Sequence, residues 1–131
     1  MPGEDNEIGV QLFPILRGES VGVSGEFSGY VFIVKRPEDL HKDWKADQIA
    51  VLCDDLESFF AQNPAEVDQL LEEVSATVSE FDEQIGMFTA SAYETETICL
   101  VKVRDAGHVL ENGMHIRVVA TESQGDVFFI D

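Results

Sequence analysis

The chain has 131 residues, 44% of them hydrophobic, with 26 Asp plus Glu against 8 Lys plus Arg and a formal net charge of −18. That length holds one domain with a core of its own, and the apolar content is not that of a disordered chain. So negative a surface repels nucleic acid and anionic lipid, and no apolar run reaches the ~20 residues that a membrane-spanning helix needs.

The charge is compatible with a basic partner, with adaptation to high salt, or with a solvated acidic surface. The opening MPGEDNEIG is acidic where a signal peptide is basic and then apolar, so the expected setting is soluble and cytoplasmic.

Residues 8–16 (IGVQLFPIL) are apolar but broken by Pro14, which fits an edge strand or an extended lead-in. Residues 1–17 are accordingly read as a lead-in and 18–131 as the domain. Gly22, Gly25 and Gly29 punctuate a turn that feeds the aromatic and β-branched strand 30–34. These glycines precede a strand instead of opening a helix, no Lys-Ser/Thr follows and Glu26 lies in the turn, so a phosphate loop is not indicated. Pro37, Glu38 and Asp39 suit the first turn of a short helix, and Trp44 a lid over the core.

Residues 49–53 form the next buried strand, and Asp54 or Asp55 caps a helix with Leu56, Phe59 and Phe60 on one face. Asn63-Pro64-Ala65-Glu66 restarts a helix on which Val67, Leu70, Leu71 and Val74 fall at i, i+3, i+4 and i+7. A strand at 76–79, a turn at FDEQ, a helix over about 84–93 and a strand at 97–103 follow. A short helix or turn at 105–110, a tight turn at Glu111-Asn112-Gly113, and strands 114–120 and 126–130 about a Ser-Gln-Gly turn complete the chain as a closing hairpin.

Three stretches in this order, GVSGEFSGYVFIV (22–34), PEDLHKDWKADQIAVL (37–52) and SATVSEFDEQIGMFTASAYETETICLV (75–101), resemble the swivelling phosphohistidine domain of phosphoenolpyruvate-utilising enzymes. VLENGMHIRVV with QGDVFFI is similar to that family's last hairpin. Ala46 stands where the family has Gly, and residues 54–74 are longer than its usual helix. The resemblance implies an α/β domain: a layered swivelling β/β/α fold, a mixed sheet with terminal hairpins.

It also implies a site. The phosphoacceptor His falls at Met87, whose thioether cannot accept a phosphoryl group, and the family's paired glycines fall at Asp82 and Glu83, which with Glu80 repel phosphate. Ser79 keeps a hydroxyl at the family's Thr position. Ser79, Asp82, Glu83 and Met87 are thus read as a degenerate phosphocarrier site, with no catalytic residue, no cofactor and no metal.

Other residues offer no replacement. His41, His108 and His115 lie outside the 79–88 segment, and none pairs with Cys or a carboxylate at ligand spacing. Cys53 and Cys99 sit in apolar strand-like runs and read as buried thiols. The clusters Asp54-Asp55-Glu57, Glu72-Glu73 and Glu80-Asp82-Glu83 lack EF-hand spacing, although any of them offers oxygens to a divalent cation.

The expected function is a stand-alone, non-catalytic module for protein interaction or regulation, with a protein partner or a homo-oligomer. The alternative is a phosphoryl carrier that uses His108 or His115 with separate nucleotide- and phosphoenolpyruvate-binding subunits.

Overall fold

Three short segments, QIAVL, ATVS and ICLV, are uncharged along their whole length, the pattern of strands covered on both faces. The computed structural model describes residues 13–82 and 87–130, the side chain of Met87 excepted. Among these residues the strands are β1 (Leu16–Ser20), β2 (Gly25–Val34), β3 (Gln48–Leu52), β4 (Ala76–Ser79), β5 (Ile98–Val101), β6 (His115–Ala120) and β7 (Gln124–Phe129). The helices are α1 (Leu56–Gln62), α2 (Pro64–Glu73), α3 (Met87–Thr95) and α4 (Ala106–Val109), with a 3-10 turn at Pro37–His41.

β2, β3, β4 and β5 run parallel, joined by crossovers that carry the 3-10 turn, α1 with α2, and α3. β6 lies antiparallel to β2 and β7. β1 is antiparallel to both β5 (Glu19 opposite Val101) and β7 (Leu16 opposite Val127), so the sheet has no free edge.

The layered swivelling β/β/α fold expected from the sequence is therefore overturned. The chain forms a closed seven-stranded mixed barrel in the order β1-β5-β4-β3-β2-β6-β7. The correction turns on β1, whose LRGES sequence carries little apolar signal and follows Pro14. It is hydrogen-bonded on both sides, and it converts an open sheet into a cylinder. The closing hairpin is present as β6 and β7, but it supplies two staves of the wall.

Period-two alternation sorts the side chains into two cores. Val31, Ile49, Val51, Ala76, Val78, Ile98, Leu100, Ile116, Val118 and Val127 fill the barrel interior, capped by Val103, Ala106 and Leu110. Val34, Ala50, Leu52 and Cys99 point the other way, against the helices and Trp44, Phe60, Phe81 and Phe88. Gly125, on β7, shows how tightly the interior is filled: an added Cβ would strike the Leu100 side chain, with Cδ1 at 2.9 Å.

Two aromatic rings anchor the crossover between β4 and β5. Phe60 lies 5.3 Å from Phe88 at 84° and 6.2 Å from Phe81. The edge-on Phe60–Phe88 pair adds about 0.5–1.5 kcal/mol beyond its buried area.

Asn63 separates α1 from α2 as the sequence suggests, by a different bond. Its side-chain amide donates back to Phe59 O (2.9 Å) and does not cap α2.

Candidate functional site

In parallel α/β sheets ligands gather beyond the carboxyl ends of the strands. Here those ends bring Lys35 (after β2), Cys53 and Asp54 (after β3) and Glu80 (after β4) to one rim, where they meet Gly107 and His108 of α4 around a cleft of about 370 Å3. A neighbouring hollow of about 280 Å3 adds Arg104 and Asp105.

Glu80 organises this rim. One carboxylate oxygen accepts the Asp54 backbone N–H (2.8 Å) and the other the Gly107 backbone N–H (2.8 Å), tying the entry of α1 to α4. Gly107 permits the approach: a Cβ there would lie 3.0 Å from Cys53 Sγ and 3.1 Å from Glu80 Oε2.

Burial pushes the Cys53 thiol above its ordinary range, the Glu80, Asp55 and Asp54 carboxylates push it further, and Lys35 partly opposes them. A thiol kept protonated in this way is a poor nucleophile and a poor metal ligand. Glu80 has both oxygens committed to backbone donors. Among the described residues no three His, Cys, Asp or Glu side chains converge as a metal-holding group.

The four residues read as a degenerate phosphocarrier site are distributed as follows. Ser79 ends β4, opposite Leu52 in the β3 register, fully buried, and its hydroxyl has no hydrogen-bond partner among the described residues. Asp82 is partly exposed and faces the Lys102 ammonium at 3.7 Å. Met87 opens α3. Glu83 lies outside the described residues.

Lys102 also binds Glu19 (3.2 Å), so one ammonium links β1 to the loop after β4, and this bond with the nearby Asp82 raises its pKa. The histidines stay apart: His41 pairs with Glu66 (2.9 Å), His108 lines the cleft, and the His115 ring stacks on Tyr30 with centroids 4.5 Å apart. Cys53 and Cys99 form no disulfide among the described residues.

A second surface escaped the sequence reading. Among the described residues none of the helix-side core comes from β1, β6 or β7, so no described helix covers the outer face of the antiparallel half. It carries Tyr30 on His115, Phe128 under Arg117 (5.3 Å) and, beyond the end of β1, Ile15 and Phe13. Phe129 stands 47% exposed at the adjoining rim, and Phe13 is 83% exposed. Alternation in 115–120 and 124–129 is the sequence signal for two-sided strands, but it does not tell which face a helix covers.

No family model matches this chain, and no curated protein matches it. Among solved structures, a UPF0107 protein determined by solution NMR is similar to it at 16% sequence identity, over 87% of this chain and 97% of that chain, with a TM-score of 0.58. At that identity the likeness concerns the fold. It corrects the resemblance to the phosphohistidine domain of phosphoenolpyruvate-utilising enzymes: the neighbour is a UPF0107 barrel, and the motifs quoted for the resemblance are short pieces of strand and turn that a different barrel also accommodates. No helix is long and apolar enough to cross a membrane among the described residues.

Proposed function

We propose that the chain is a non-catalytic interaction module that binds a basic protein through the uncovered face and rim of its antiparallel half. The observation that supports this reading is the exposure of Phe13, Ile15, Tyr30 and Phe129, of which Phe13, Ile15 and Phe129 lie on or beside strands that contribute nothing to the described helix-side core. Exposed large apolar side chains on one side of a domain mark contact sites, and Tyr and Arg are enriched at the energetic centres of such sites.

Charge selects the partner. Residues 46–101 contain 13 acidic residues and no Lys, Arg or His, and they include α1, α2 and α3. Such a field steers a basic protein towards the chain and repels a second copy carrying the same −18.

The cleft adds a chemical argument against catalysis as the primary role: its thiol is held protonated and its central carboxylate is engaged with backbone donors.

The test places a photo-crosslinking amino acid in turn at Phe129 and at Tyr93, an exposed aromatic on α3. Position 129 is expected to yield an adduct with a basic protein and position 93 to yield none. Adducts from position 93 alone, or adducts at 129 only with a second copy of this chain, would contradict the reading.

A further inference from the structure

Lys42 reaches across the outside of β2 into a corner made by two aromatic rings. Its Nζ lies 4.7 Å from the Phe32 centroid and 4.6 Å from the Trp44 centroid, and the rings meet edge-on at 83° with centroids 5.4 Å apart. The corner is assembled without the lysine. Trp44 is 9% exposed and donates its indole N–H to Leu40 O (3.0 Å), while Phe32 projects from the hydrogen-bonded strand β2 against the helix-side core. The occupant is held from the surface, by Asp43 O (3.2 Å) and by the Gln48 side-chain carbonyl.

We propose that this corner is a binding site for alkylammonium groups, occupied in the present state by the chain's own Lys42. Aromatic faces attract a cation through their quadrupole, and pairs of faces set at right angles are the usual receptor for methylated ammonium ions. A quaternary ammonium needs no hydrogen-bond acceptor, so it can use the ring faces without the Asp43 and Gln48 oxygens that hold Lys42. Lys42 in turn is displaceable: it sits on a loop, it spends side-chain entropy to stay in place, and its ammonium loses solvent and faces Lys45, which the Asp43 charge only partly offsets. The inference concerns the β2–β3 crossover alone and does not rest on the proposed rim contact.

Trp44 is the chain's single Trp, so its emission reports the site directly. Wild type and Lys42→Ala are titrated with tetramethylammonium chloride against sodium chloride at equal ionic strength. The variant is expected to show a saturable change in emission at a concentration at least about tenfold below any wild-type response, and Phe32→Leu added to it abolishes that change.

The indole N–H resonance of Trp44, held by Leu40 O, is followed in parallel, since it reports both folding and occupancy. If Lys42→Ala keeps that resonance yet responds no more than wild type, the proposal fails. It also fails if the double variant binds as the single one does.

Discussion

Glu80 does the work of a loop clasp with one side chain. Its two oxygens hold Asp54 N–H and Gly107 N–H, and it adds to the field that keeps the Cys53 thiol protonated. Glu80→Gln substitutes an NH2 group for one of those acceptors, so one backbone donor loses its partner. The expected cost is about 1–3 kcal/mol, read from urea unfolding.

The same substitution removes the negative charge that, after burial, does most to raise the Cys53 thiol. Its alkylation-against-pH profile should therefore move part of the way back toward an ordinary thiol, and an unchanged profile would remove Glu80 from the account. The sign of the linked stability follows from proton counts. A raised thiol keeps its proton in the folded chain at pH values where the unfolded chain has lost it, so stability is full below the ordinary thiol range and falls as pH rises through it. At this scale the sequence disclosed residue types but not partners. Glu80 read as one more acid in a cluster, because nothing in SEFDE marks the carboxylate that meets an amide 27 residues away.

Strand and helix positions were largely legible, because composition and period decide them locally. The segment 76–79 is β4, the Asn63-Pro64 break falls between α1 and α2, and the buried stripe Val67, Leu70 and Leu71 lies on α2. Closure was not legible. Whether β1 pairs on one side or two depends on chain geometry across about a hundred residues, and LRGES has the same alternation in either case.

That difference is testable at the level of the element. In an open layered sheet the first 20 residues are dispensable, whereas in the barrel their deletion exposes the facing edges of β5 and β7. Unpaired edges of this kind promote aggregation. Deletion of residues 1–20 is expected to abolish cooperative thermal unfolding and to give aggregates in light scattering. A soluble, cooperatively melting truncation would return β1 to the role of lead-in.

Over the whole molecule the charge divides unevenly. Residues 46–101, which carry α1, α2 and α3, hold 13 acids and no base of their own, while Arg17 and Arg117 lie on the antiparallel half, the first paired with Asp126 (3.3 Å) and the second over Phe128. On the proposed reading, long-range attraction and close contact thus fall to different surfaces: the acid field would bring a basic protein near, and the apolar rim would hold it.

These contributions separate under salt, since screening over a Debye length of about 8 Å at physiological ionic strength weakens steering but leaves apolar contact nearly untouched. The measurement that bears most directly on this division is the affinity of the crosslinked partner, once purified, for wild type and for Phe129→Asp across a salt series. The account predicts that wild-type affinity falls as salt rises and that Phe129→Asp is weaker by about tenfold or more at every salt concentration. Equal affinities for the two proteins throughout the series would contradict it.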